Sequence, residues 1–241
     1  MRCIPALMTP EVRTCDMVKR FRIPFEDHVL VGDLSSEPCS ALVIHGAGTS
    51  NRRRFERPRK RLHEEGIPTC SFDFIGHGET GGDLGSSSLK ERTLQASRVI
   101  SSCLQEPLAL IGASMGGYTA VKLTLLHEVR NLILLVPAMY TPEAYDAPFD
   151  GGFSQIIRSH RSWEKSDAWA ILSEFGGNLL VVAAEHDTII PFEVVERTFQ
   201  SASRARSRKL HVVPKASHLG LFASQTEFDR VVGMIKSLVA E

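Results

Sequence analysis

Gly112-Ala113-Ser114-Met115-Gly116 lies between two stretches of opposite pattern. Leu108-Ala109-Leu110-Ile111 before it is a short apolar run that reads as a buried strand, and Gly117 to Leu126 after it carries apolar residues at helical spacing. A serine on a strand-to-helix turn, with glycines two positions to either side, is the context in which a hydroxyl is lifted clear of a sheet edge as a nucleophile. Such a turn imposes strained backbone angles that bulky neighbours would block. At about 7% glycine the bare pattern arises by chance in about one chain in ten of this length. Its place after a strand therefore counts for more than its spacing.

Working outward, short apolar runs alternate with helical segments. Val18–Phe25 and His28–Asp33 read as an opening hairpin turning at Glu26-Asp27. Ala41–His45, Pro68–Asp73, Leu108–Ala113, Asn131–Pro137, Asn178–Ala184 and Lys209–Val213 are six further strands, nearly continuous in apolar residues. Arg52–Glu65, Leu89–Leu104, Gly117–His127, Pro191–Ala202 and Thr226–Ala240 read as helices. This alternation predicts an α/β architecture: eight strands, mostly parallel, covered by helices on both faces. One domain over residues 1–241 accommodates it, with an insertion at about 138–177.

Composition narrows the partners. Lys and Arg total 28 and Asp and Glu total 28, so no global charge points to nucleic acid or a membrane surface. Cys3, Cys15, Cys39, Cys70 and Cys103 are scattered and lack C-x-x-C spacing. That usage fits reduced thiols in the cytoplasm, without a disulfide framework or zinc site. Pro5 and Pro10 interrupt the apolar opening Met1–Met8, which lacks the apolar core of a signal peptide, and no run reaches membrane-spanning length.

Five motifs follow strand ends in a telling order. His45-Gly46-Ala47-Gly48 follows the third strand, Asp73-Phe74-Ile75-Gly76-His77-Gly78 the fourth, and the Ser114 turn the fifth. Ala184-Glu185-His186-Asp187 follows the seventh, and Lys215-Ala216-Ser217-His218 the eighth. On these residues the chain resembles the α/β-hydrolase superfamily over nearly its whole length, closest to the small esterase, lipase and aminopeptidase-like branch that includes monoglyceride lipases. The order serine, acid, histidine is the one this fold uses.

The resemblance implies a Ser114, Asp187 and His218 triad. His218 is the base that activates the hydroxyl, and Asp187 holds the other ring nitrogen. The backbone N–H groups of Met115 and Ala47 are the implied oxyanion donors. His211 competes for the base but falls within a strand. Glu185 and Asp167 compete for the acid, the first too near its strand end and the second inside the insertion. His45, His77 and Asp73 read as structural anchors of their loops. One departure is Ser217, where the family often has glycine before the base histidine.

Two features carry open readings. Arg52 to Arg61 holds seven basic residues right after the oxyanion loop, with Pro58 at a first turn or kink. It is either a solvated basic face or a patch for an anionic substrate tail. The insertion contains Tyr140, Tyr145, Phe149, Phe153, Trp163, Trp169 and Phe175. As a small cap over the serine these rings would line an apolar acyl or aryl pocket, glue the cap to the sheet, or do both. The expectation is a serine hydrolase, carboxylesterase-like, acting on a small-molecule ester with no cofactor and no metal. Thioesterase, acyltransferase and aminopeptidase-like activities use the same parts. A non-catalytic homologue is the contrasting class. A dinucleotide-binding fold is disfavoured, because no G-x-G-x-x-G follows the first parallel strand.

Overall fold

The computed structural model describes residues 18–241. Cys3, Cys15 and the Met1–Met8 stretch lie outside the described residues. Strands β1 (Lys19–Phe25), β2 (His28–Leu34), β3 (Ala41–Ile44), β4 (Thr69–Asp73), β5 (Leu108–Ala113), β6 (Val129–Leu135), β7 (Asn178–Ala184) and β8 (Ser207–Val213) form one eight-stranded sheet. Its order is β1-β2-β4-β3-β5-β6-β7-β8. The β1–β2 hairpin and the β2–β4 pairing are antiparallel, and every other pairing is parallel. The predicted α/β-hydrolase arrangement is the one found, with strand bounds shifted by one or two residues.

The apolar runs are continuous because both faces of the sheet are covered. Leu110, Leu134 and Val181 point to one face, where they meet α2 (Leu89–Cys103), α3 (Met115–Leu123) and α7 (Phe192–Ser201). Ile111, Leu135 and Val182 point to the other, against α1 (Glu56–Glu64) and α8 (Gln225–Ala240). Each strand thus alternates with period two between two apolar layers, and neither layer is solvent.

Three expected helices are found within one residue of their bounds, and two differ more. The helix predicted over Gly117–His127 starts at Met115 and ends at Leu123. Leu125 and Leu126 continue the apolar pattern but are 61% and 55% exposed. The helix predicted over Arg52–Glu65 is a 3₁₀ turn, Arg52–Phe55, capped by the Asn51 side chain and followed by α1. Pro58 falls in the first turn of α1, where its missing N–H costs nothing.

Between β6 and β7 the chain makes α4 (Pro142–Asp146), a kinked segment at Phe149–Phe153, α5 (Ser154–Ile157) and α6 (Ala168–Glu174). All seven aromatic side chains of this insertion join the layer over α2, α3 and α7. Their contacts are edge-on: Tyr118 to Tyr140 at 5.5 Å, Phe149 to Phe153 at 4.9 Å and Trp163 to Trp169 at 6.4 Å. Geometries of this kind add about 0.5–1.5 kcal/mol per pair beyond burial. This packing is the gluing role expected of these rings.

Candidate active site

Ser114 stands alone between β5 and α3, with φ 52° and ψ −119°. A non-glycine residue at positive φ costs about 1–3 kcal/mol and persists only where its surroundings hold it. Here Ser114 N–H donates to Leu135 O at 2.9 Å, and its carbonyl accepts from Gly117 and Ala138 N–H at 2.9 and 3.0 Å. The flanking glycines are required by close approach. A Cβ on Gly112 would overlap the Gly116 carbonyl, and one on Gly116 would overlap the Ile44 carbonyl of β3. Bulk at either position would push α3 away from the sheet and with it the serine.

Three carboxyl-edge loops converge on this hydroxyl. His218 Nε2 lies 3.1 Å from Ser114 Oγ, and His218 Nδ1 lies 2.8 Å from Asp187 Oδ2. The other carboxylate oxygen of Asp187 accepts the N–H groups of Ile189 and Ile190, both at 2.9 Å. His186 N–H donates to Ala216 O at 2.8 Å, and Glu185 accepts Lys215 N–H at 2.7 Å. The acid loop and the base loop are therefore stitched together just before the pair. The rivals lie elsewhere: His211 Nε2 meets Glu227 on α8 at 2.9 Å, while Asp167 accepts Tyr118 Oη–H and pairs with Lys122.

Ala47 lines the cavity beside Ser114 on a loop held from beneath. Asp73 accepts the N–H groups of Arg52 and Glu79 at 2.8 and 2.9 Å, and the Arg52 guanidinium spans Asp33, Asp73 and Glu79. This buried network ties the loop after β3 to the one after β4. Met115 N–H opens α3, where the first amides have no partner within the helix.

His45 is fully buried, its Nδ1 2.8 Å from Gly46 O and its Nε2 3.3 Å from Phe74 N. Only a neutral ring with its proton on Nδ1 satisfies both, because protonated Nε2 cannot accept the Phe74 N–H. Burial holds the imidazole well below the ordinary histidine value, and burial likewise lowers His77. As pH falls below about 6.5 the unfolded chain takes up protons that the folded chain refuses. Each such histidine then removes up to about 1.4 kcal/mol of stability per pH unit. Thermal unfolding should accordingly occur at lower temperature at pH 5.5 than at pH 7.5, and the difference should shrink in His45→Gln. An unchanged pH slope in that variant would assign the effect to other groups.

Sequence reasoning missed Arg92. It is fully buried on α2, and its Nη2 donates to His45 O at 2.7 Å and Gly46 O at 3.2 Å. Its guanidinium stacks 3.7 Å above the Phe74 ring, and burial pulls its pKa down to about 9. It grips the two carbonyls immediately before Ala47, which makes it a positioning group for that loop. The signal was available. Leu89, Ala96, Val99 and Ile100 trace the buried stripe of α2, and Arg92 falls on it at helical spacing.

A cavity of about 510 Å³ opens beside Ser114 and His218. Its apolar lining comes from Phe55, Pro58, Leu135, Val136, Leu221 and Phe222. None of the seven insertion aromatics lines it. The basic segment also divides against expectation: Arg52 and Arg59 are buried rather than solvated, and Arg54 and Arg57 line the cavity. Among the described residues no group of three or more His, Cys, Asp or Glu side chains could hold a metal ion, and no helix is long and apolar enough to cross a membrane.

Comparison with known proteins bears on this geometry. The family model described as serine aminopeptidase, S33, matches residues 37–165, more than half of the chain. No curated protein sequence matches. Among solved structures the chain is similar to Est1E from Butyrivibrio proteoclasticus with ferulic acid bound, at 18% identity and a TM-score of 0.72, covering 92% of this chain and 100% of that one. It is also similar to the esterase EaEST from Exiguobacterium antarcticum, at 18% identity and 0.71, covering 90% and 98%. A thioesterase domain from the curacin biosynthetic pathway matches at 15% identity and 0.67, covering 92% and 99%. At such identities these likenesses speak for the fold alone.

Proposed function

The chain belongs to the serine aminopeptidase S33 family of α/β hydrolases, and from that membership we propose a serine hydrolase that cleaves a carboxylic ester with an apolar acyl or aryl part. The observation that supports this most is the unbroken line Asp187–His218–Ser114, with spacings of 2.8 and 3.1 Å, at the edge of an open cavity.

In this reading Ser114 Oγ attacks the ester carbonyl carbon as its proton passes to His218 Nε2. Base catalysis of this kind contributes about 10²–10⁴-fold. The Met115 and Ala47 N–H groups receive the oxyanion, each donor contributing about 10²–10³-fold. Collapse breaks the bond to the alcohol, which leaves with the proton held by His218. Water, deprotonated by His218, then attacks the acyl-enzyme, releases the acid and restores the Ser114 hydroxyl. Asp187 keeps the ring proton on Nδ1 and stabilises the imidazolium.

A fluorophosphonate probe tests the proposal, because it reacts only with a serine activated by a base. One equivalent should be taken up, on Ser114. Absence of label, or label elsewhere, would favour a non-catalytic homologue. Esters of p-nitrophenol with increasing acyl length, assayed beside acyl-CoA thioesters, then separate an esterase from a thioesterase.

A further inference from the structure

The seven basic residues between Arg52 and Arg61 separate by their partners. Arg52, Arg53, Arg59 and Arg61 each pair with a carboxylate, and Lys60 lines a separate hollow that Arg57 borders too. Arg54 and Arg57 have no carboxylate partner among the described residues, and these are the two that line the cavity of Ser114 and His218. Among the described residues no Asp or Glu lines that cavity.

Both guanidinium groups are held in place by neutral groups. Arg54 Nη2 donates to Leu219 O at 2.9 Å. Arg57 Nη1 donates to Phe222 O at 3.0 Å and Nη2 to Gln225 Oε1 at 2.7 Å, with the guanidinium 4.0 Å above the Phe228 ring. Each guanidinium has five N–H donors, so these bonds orient the groups without using them up or cancelling their charge. Phe55 and Pro58 alternate with the two arginines along the same turns, placing apolar and cationic lining side by side. Exposed guanidinium groups beside apolar cavity wall are suited to a carboxylate or phosphate at the end of an apolar segment.

We propose that the ester taken by this site carries an anionic group, a carboxylate or a phosphate, separated from the scissile carbonyl by an apolar segment and bound by Arg54 and Arg57. The proposal rests on the hydrolase reading above and names its substrate class.

Two matched pairs of esters test it. In the first the acyl group carries the charge: p-nitrophenyl adipate with a free carboxylate against its methyl ester. In the second the alcohol carries it: the hexanoyl ester of hydroxyethyl phosphate against that of ethylene glycol. At low salt at least one pair should show kcat/KM about tenfold or more in favour of the anion, the scale of a charge-assisted hydrogen bond, and the preference should fall as salt rises. The pair that responds tells which side of the ester bears the charge. In the double variant Arg54→Met, Arg57→Met the anionic-to-neutral ratio should fall to about one. Both members are assayed in the same variant, so any disturbance of the His218 loop cancels. Arg57→Glu should reverse the preference toward an ester bearing a quaternary ammonium.

A ratio near one for both pairs in the wild type overturns the proposal, as does a ratio that survives the double substitution. If Ser114 still takes up fluorophosphonate in either case, the substrate class fails and the hydrolase reading stands. If Ser114 takes up no label, both fall.

Discussion

Ser114→Ala should abolish turnover while leaving the fold intact. On an activated p-nitrophenyl ester kcat should fall about 10⁵–10⁶-fold, the loss typical of deleting a triad nucleophile. The substitution removes one oxygen atom. The strained turn is held by backbone bonds to Leu135, Gly117 and Ala138, none of which uses the hydroxyl. Alanine at φ 52° meets the same steric cost as serine, so the unfolding temperature should barely change. The residual rate should come from the backbone donors and the cavity. A second substitution, His218→Ala, should then cost almost nothing more, since a base without its nucleophile has no proton to take. Retention of more than about 1% of wild-type kcat in Ser114→Ala would place the nucleophile elsewhere.

The parts of this molecule legible in its sequence share one property: local pattern and long-range role coincide. Leu108–Ala113 had to be apolar throughout because it lies between two covered faces, and its bounds came out as read. Gly112 and Gly116 had to be glycine because carbonyls occupy the space a Cβ needs. The loops ending β3, β4, β5, β7 and β8 carry the motifs because a mostly parallel sheet delivers those ends to one edge.

What stayed hidden depends on partners far along the chain. The run Arg52 to Arg61 reads as one basic patch. Yet Arg52 is buried against Asp33 and Asp73, whereas Arg54 faces a loop 165 residues later. The aromatic insertion was legible as apolar, but not in direction, and it packs over α2, α3 and α7 rather than into the cavity. Periodicity reports that a face is covered; it does not report by what. Arg92 is the intermediate case, since its place on the apolar stripe of α2 was visible and its grip on His45 and Gly46 was not.

Asp187→Asn should cut kcat about 10³–10⁴-fold with the fold retained. One carboxylate oxygen of Asp187 accepts the Ile189 and Ile190 N–H groups, and the other faces His218 Nδ1. In the variant the amide oxygen keeps the two backbone donors, so the NH₂ group takes the place opposite Nδ1. Because that NH₂ donates, the ring must present a lone pair at Nδ1 and carry its proton on Nε2. Nε2 then cannot accept the proton of Ser114, which is 3.1 Å away and correctly placed. Glu185→Gln is the control on the same loop. Glu185 accepts Lys215 N–H at 2.7 Å, and a glutamine oxygen accepts as well, so only the charge of one loop-tying bond is lost. At about 1 kcal/mol for such a bond, the cost should be about tenfold or less. Both variants should be assayed on one activated ester across pH 5 to 9. Glu185→Gln as the crippled enzyme, with Asp187→Asn nearly normal, would move the acid to Glu185; near-normal rates in both would leave the base without a carboxylate partner in catalysis.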